Sequence, residues 1–303
     1  MTLSIITVNY NGLDDTSAML ASIPPTDGME VIVVDNGSAN DEAAILRQRH
    51  PAVTVIRSPK NLGFAGGNNL GIEAASGKYL FFVNNDTLFP PTAEDGTNWF
   101  QPLIRRLEAQ PSTAVVCPKI RFSWDDHPIQ FAGFTPLSSI TLRNSTIGLG
   151  EADHGQHDTP HPTPYAHGAA MMVRREAISK AGTMPEAYFL YYEEIDWSVR
   201  FHSAGYDIWY DPASTIFHKE SRTTGQGSPL KTYYVTRNRL LFARRNVKSP
   251  RRYLTYLYLM LIVAPRDLLK HLFKRQTKQA KAVLNGIVDF IRGRQGRQPT
   301  PST

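Results

Sequence analysis

Four apolar, β-branched runs, each ending in polar residues and separated by stretches of helical period, constrain this 303-residue chain more than any other feature. The runs lie at 3–9, 30–35, 53–57 and 79–83, and the helical patterns between them at 14–22, 40–49 and 64–75. A βαβαβαβ order dictates a doubly wound, mostly parallel α/β sheet, because parallel neighbours need a crossover and a helix fills it. Ligands on such sheets bind beyond the carboxyl ends of the strands. The residues found there are Asn9-Tyr10-Asn11, Asp35-Asn36-Gly37-Ser38 and Asn84-Asn85-Asp86, and they are expected to converge. The second helix is expected to start through Ser38, with Asp41 three residues on as a near-match to a capping box.

The last of these endings is the sharpest. In YLFFVNNDTL, beginning at Tyr79, a strand built from Phe, Val and Leu stops in two carboxamides and a carboxylate. Such a triplet suits a metal-diphosphate site at a strand end. It is also good turn chemistry, and the residues alone leave both readings open. The glycines of Gly63-Phe64-Ala65-Gly66-Gly67-Asn68 are equally two-sided: a helix start that cradles phosphate, or close packing of helix on strand. No GxGxxG follows the first strand and no GxxxxGK[ST] occurs, so the dinucleotide-binding dehydrogenases and P-loop NTPases lose their main signature.

In the second half, YFLYYEEID at Tyr188 sets aromatics before three carboxylates and runs into a helix, 195–204, stopped by Gly205. Asp196 and Arg200 stand at i, i+4 and read as a salt bridge; Trp197 and Phe201, equally spaced, read as core. Glu193 and Glu194 fall at or before the first turn, where the helix dipole favours negative charge. Residues 206–217 read as two short strand pieces, the second delivering His218 into the polar segment Lys219-Glu220-Ser221-Arg222.

Charge is divided along the chain. Residues 237–297 hold sixteen Lys and Arg against Asp267 and Asp289, a net of +14, leaving −8 for the rest of a chain whose total is +6. Within this basic end, YLTYLYLMLIVA (253–264) is twelve residues long, shorter than the roughly 20 needed to span a bilayer, and Pro265 is expected to interrupt it. Leu268, Leu269, Leu272 and Phe273, then Val283, Ile287, Phe290 and Ile291, recur at helical spacing among lysines and arginines. That pattern suits helices lying in an anionic membrane surface, with helices packed on the parent domain as the alternative. Nucleic acid is not expected as a partner, since no recognised motif accompanies the charge. The single cysteine, Cys117, and a strand beginning almost at Met1 point to a cytoplasmic protein, here peripherally attached to the cytoplasmic face of the inner membrane.

Seven segments, in order and in register, resemble the inverting family 2 glycosyltransferases of GT-A fold, and most closely their rhamnosyltransferase-like branch. They are SIITVNYNG at Ser4, VIVVDNGS at Val31, NLGFAGGNN at Asn61, YLFFVNNDT at Tyr79, HGAAMMVRREA at His167, YYEEIDWSVRFHSAG at Tyr191 and IFHKES at Ile216. The resemblance implies a GT-A catalytic domain over 1–246, its Rossmann-like nucleotide-binding half followed by an acceptor half, and a basic amphipathic helical tail over 247–303. It further implies that Val8, Tyr10, Asp35, Asn61 and Asn68 serve the donor nucleotide, with Asn84 and Asn85 on the ribose and donor sugar. Asp86 would bind Mg²⁺ or Mn²⁺, with His218 as a second ligand. Glu194 stands where the family places the Asp of a Glu-Asp pair, the catalytic base, so Glu194 or its neighbour Glu193 takes that role.

The expected activity is metal-dependent transfer of a sugar, rhamnose favoured, from a dTDP- or UDP-sugar donor to a hydroxyl of a lipid-linked surface glycan. A UDP-hexose or UDP-N-acetylhexosamine donor is the alternative within that class. Outside it stand a nucleotidyltransferase, disfavoured by the lack of a basic, glycine-rich triphosphate loop, and a non-catalytic protein that only binds sugar nucleotides.

Overall fold

The computed structural model describes residues 2–91, 98–124, 126–220 and 228–298, so Ser221 and Arg222 lie outside the described residues. Strands β1 (Leu3–Asn9), β2 (Met29–Asp35), β3 (Thr54–Arg57) and β4 (Tyr79–Val83) alternate with helices α1 (Leu13–Ser22), α2 (Glu42–Arg49) and α3 (Gly63–Ala74). All four strands pair parallel, in the order β3-β2-β1-β4. Every residue of β4 is buried, which is why its sequence is a continuous apolar run and not an alternation.

Beyond β4 the sheet becomes mixed. The chain continues through β5 (Thr87–Leu88), α4 (Gln101–Ala109), β6 (Thr113–Phe122), β7 (Ile129–Phe131), β8 (His161–Pro162), β9 (Ala170–Arg174), α5 (Arg175–Ala181), α6 (Glu193–Ser203) and β10 (Asp207–His218). β9 inserts antiparallel between β4 and β6, and β10 runs parallel to β6. The two strand pieces expected at 206–217 are one strand, β10, which carries a register shift between Asp211 and Thr215. A short 3₁₀ turn, Glu186–Tyr188, precedes α6.

Two local expectations about helix starts change. α2 is capped by Asp41, whose carboxylate accepts the Ala44 N–H, and not by Ser38, whose hydroxyl instead donates to Asp35 and accepts the Asn11 N–H. The glycines of α3 serve packing. A Cβ on Gly67 would lie 2.8 Å from Val8 Cγ1, so only glycine lets α3 press onto β1 there. Gly205 does follow α6, at φ +86.

Helices α7 (Pro229–Asn246), α8 (Arg251–Tyr258), α9 (Ala264–Phe273) and α10 (Thr277–Ile291) complete the chain. α8 and α9 are joined by a π turn, Leu259–Val263, so Pro265 does not interrupt the segment. Its ring sits within the first turn of α9, and the π turn absorbs the backbone bond that proline cannot donate. α10 folds back on α7, with Val283 and Phe290 buried. Its apolar stripe is therefore largely a packing face, and the Tyr233 hydroxyl donates to buried Asp289 at 2.8 Å. The cluster around Leu240, Leu241, Leu259, Val263 and Phe290 also takes in Leu142 and Tyr188 from the sheet domain.

Candidate active site

The polar strand ends do converge, and side-chain hydrogen bonds tie them together. Asn9 Nδ2 donates to Glu42 at 2.8 Å and to Asp35 at 3.2 Å, while its oxygen accepts from the Thr16 hydroxyl. Asn85 donates to the same Thr16 hydroxyl, which brings the end of β4 to the start of α1. Asn36 reaches the other way, donating to the Gly63 carbonyl and accepting the Leu62 N–H. Asn61 accepts the Gly63 N–H, and Phe64 donates its N–H to the Phe189 carbonyl. The Leu62, Gly63 and Phe64 amides at the start of α3 are thus occupied by protein oxygens and are not available to phosphate.

Above this network lies a cavity of about 410 Å³, lined by Val8, Tyr10, Asn61, Asn84, Asn85, Asp86, Glu193, Glu194 and His218 among others. Nine of the eleven residues named from the sequence meet there. Asp35 and Asn68 are not in its wall. Asp35 is fully buried beneath it, with one oxygen engaged by Ser38 and Asn9 and the other without a hydrogen bond, 3.8 Å from Arg57 Nε. Asn68 donates back to the Phe64 carbonyl within α3.

Asp86 and His218 approach each other across the β4–β5 turn and the end of β10. His218 Nε2 lies 3.0 Å from Asp86 Oδ1 and 3.3 Å from Asn84 Nδ2. The other ring nitrogen, Nδ1, lies 2.8 Å from Gln130 Oε1. That contact orients the ring so that Nε2 faces the carboxylate. An imidazole nitrogen and a carboxylate oxygen side by side at the cavity wall are both ligand types that a divalent cation takes up, so Asp86 and His218 fit a metal. Among the described residues no three His, Cys, Asp or Glu side chains converge. The remaining ligands would then come from diphosphate oxygens and water. The turn reading of Asn84-Asn85-Asp86 holds as well, since the Asn84 carbonyl accepts from the Thr87 N–H and hydroxyl.

Glu193 and Glu194 open α6 at the other part of the wall. Glu193 is only 2% exposed and its Oε2 has no hydrogen-bond partner. Burial pushes both carboxyls above the usual carboxylate range, and the neighbouring Glu194 charge pushes Glu193 further. The pair as a whole therefore holds a proton to higher pH than ordinary carboxyls do. The turn that delivers them is strained: Phe189, Tyr191 and Tyr192 have φ of +68, +68 and +81. Such residues cost on the order of 1–3 kcal/mol each and persist only where surroundings over-determine them. Asp196 does not reach the cavity; it pairs with Arg200 at 3.2 Å and accepts from Asn246, while Trp197 and Phe201 are core.

The model of the family described as glycosyl transferase family 2 matches residues 4–182, more than half of the chain. The chain belongs to this family. It is a glycosyltransferase of an inverting class. Among relatives, it is 26% identical over 300 residues to the low-salt glycan biosynthesis hexosyltransferase Agl10 of Haloferax volcanii, covering 97% of this chain and 92% of that one. It is 22% identical over 242 residues to the N-acetylglucosaminyl-diphospho-decaprenol L-rhamnosyltransferase of Mycobacterium tuberculosis, covering 74% and 78%. The mannosyltransferase PcManGT of Pyrobaculum calidifontis, solved with GDP-Man and Mn²⁺, superimposes with a TM-score of 0.58 at 16% identity, over 95% of this chain and 86% of that one. GalNAc-T7 with UDP, GalNAc and Mn²⁺ does so at 0.59 and 15%, over 85% and 54%. These likenesses establish the GT-A-type mixed sheet followed by C-terminal helices.

Several cavity residues carried little signal in the sequence. Asn36 and His167 sat inside quoted segments without a role. His167 lies half-buried against Phe131 and Phe134, and desolvation together with the nearby His218 pushes its pKa down to about 3. Gln130, Phe134 and Lys231 come from unremarkable stretches. A buried glutamine inside the three-residue apolar strand β7 was the one available hint.

Proposed function

We propose that this protein is a metal-dependent inverting glycosyltransferase that moves a sugar, rhamnose in the first instance, from a dTDP- or UDP-sugar to a hydroxyl of a lipid-linked glycan. The observation that carries the reading is that the Asp86–His218 pair and the Glu193–Glu194 pair line one cavity, alongside Tyr10, Asn84 and Asn85. Mg²⁺ or Mn²⁺ held by Asp86 and His218 would neutralise charge on the departing diphosphate. Glu194, in its ionised form, takes the proton of the acceptor hydroxyl as that oxygen attacks the anomeric carbon. Tyr10, Val8 and Asn61 bound the nucleotide end, and Asn84 and Asn85 the sugar end. One displacement with no enzyme-bound sugar inverts the anomeric configuration.

Rhamnose and a polyprenyl-diphosphate acceptor draw support from the Mycobacterium relative's name. A second donor reading, a UDP-hexose, is favoured by the hexosyltransferase that matches nearly the whole chain. Binding of UDP-, dTDP- and GDP-sugars with Mn²⁺, followed by nucleoside diphosphate release on adding a lipid-linked acceptor, separates them. Binding without release in the presence of any acceptor would leave only a sugar-nucleotide-binding protein.

The same reading places the enzyme on an anionic membrane surface at the cytoplasmic face of the inner membrane. Among the described residues no helix is long and apolar enough to cross a membrane. What supports surface attachment is the outer side of α8–α9. Tyr253, Leu254, Leu257, Leu261, Ile262, Leu269, Leu272 and Phe273 are all at least half exposed, Phe273 at 85%. Twelve residues separate Leu257 from Leu269, about 120° apart in an unbroken α-helix; a π turn takes up about one residue and brings them to within about 20°. Exposed Arg251, Arg266, Lys270, Lys274 and Arg275 accompany this face, each worth about 1 kcal/mol near anionic lipid.

A further inference from the structure

The strained turn before Glu193 is held from behind by two buried residues of α7. Asn238, fully buried, directs Nδ2 at three carbonyl oxygens: Tyr188 at 3.0 Å, Leu190 at 2.8 Å and Tyr191 at 2.9 Å. Arg237, 1% exposed, donates to the Tyr188 carbonyl at 2.7 Å, to the Gly296 carbonyl at 2.7 Å and to the Asn238 side-chain oxygen at 2.9 Å. Its guanidinium also lies against the Tyr233 and Tyr234 rings. Gly296 closes the arrangement, since its N–H donates to the Ala187 carbonyl at 2.7 Å.

We infer that Arg237 and Asn238, locked by the C-terminal strap at Gly296, are positioning residues for the Glu193–Glu194 pair. A guanidinium buried to this degree is expensive unless each N–H is met, and here the acceptors it meets are main-chain oxygens of the turn and the strap. The carbonyls of Tyr188, Leu190 and Tyr191 point toward α7 only because the turn adopts positive φ at Phe189, Tyr191 and Tyr192. Releasing them lets the turn relax toward ordinary backbone, and the first residues of α6 move with it. On the cavity side, Gly63 meets the turn: a Cβ there would lie 2.2 Å from the Phe189 carbonyl. The donor loop and the C-terminal helices thus grip the same five residues from opposite directions. The inference rests on the reading of the glutamate pair as the base site.

The test compares Asn238→Ala, Gly296→Pro and Glu194→Gln in the full chain. Gly296 has φ +69 and donates its N–H, neither of which proline allows, yet it lies outside the cores. Gly296→Pro therefore keeps the test available should Asn238→Ala fail to fold. Both positioning variants are expected to lower kcat by about tenfold to a hundredfold while donor KM and donor affinity stay within about twofold. Amide hydrogen exchange at 187–192 should rise in both, with exchange in β1 and β4 unchanged. Wild-type kcat in Gly296→Pro together with faster exchange at 187–192 overturns the inference, and so does loss of donor affinity in step with kcat. Glu194→Gln separates the two ideas. If it is inactive while the positioning variants turn over normally, the base reading stands and the positioning role falls; if it turns over normally, the base reading itself is lost.

Discussion

At the residue scale the cavity holds two carboxylate environments with opposite demands. Asp86 is needed ionised beside His218, whereas Glu193 is buried with an unpartnered oxygen and a raised pKa. Asp86→Ala is expected to abolish metal-dependent turnover without lowering Tm appreciably, because a turn carboxylate supports little packing; wild-type transfer by that variant in EDTA would refute the assignment. For the pair, Glu194→Gln should collapse kcat at unchanged donor affinity, and Glu193→Gln should do less. Wild-type kcat should fall with decreasing pH at values above the ordinary carboxylate range, since the base must be ionised and its pKa is raised. Stability runs the other way. A carboxyl whose folded pKa is raised keeps its proton longer in the folded state, so stability is lost as pH rises from the unfolded pKa through the folded one. Glu193→Gln removes that loss, so its stability relative to wild type should rise between pH 4 and pH 8. Denaturant unfolding at the two pH values checks the sign.

At the element scale, the start of α3 and the outer face of α8–α9 each carry a prediction. Gly63 combines φ +79 with close approach to the Phe189 carbonyl, so Gly63→Ala should cost well over about 1 kcal/mol and impair turnover as the base turn is pushed away. Equal stability and kcat would show that the two loops are not in contact in solution. On α8–α9, changing Leu257, Leu261, Leu269 and Phe273 to Ser should leave Tm unchanged, because none is in a core, and should abolish sedimentation with anionic liposomes. Wild-type binding should weaken with added salt. Salt-independent binding to neutral and anionic vesicles alike would remove the electrostatic part of the surface reading.

At the scale of the whole molecule the C-terminal helices are not a detachable anchor. α10 covers α7, Phe290 shares a cluster with Tyr188, and the strap at Gly296 reaches the base turn. A chain ending at Asn246 should therefore lose soluble-acceptor activity as well as liposome binding. Retained activity in that truncation would mean that α7 keeps its place without α10.

The alternating strands, their polar endings, the salt bridge of Asp196 and the core roles of Trp197 and Phe201 were legible in the sequence, because period and local spacing depend only on near neighbours along the chain. The eleven candidate site residues came instead from the resemblance of seven segments to a known family, and nine of them line the one cavity. Tertiary structure alone decided the rest. Whether the α3 amides could meet phosphate depended on Asn36, Asn61 and Phe189, which arrive from three different loops. Whether α10 lay on a membrane or on α7 depended on a packing partner far away along the chain, 56 residues for Tyr233 and Asp289, since both outcomes call for the same amphipathic pattern. Arg237 and Asn238 read as two more members of a basic stretch. Their burial, and their hold on three carbonyls of a strained turn, exist only once the chain brings residue 296 and residue 188 to the same side of α7.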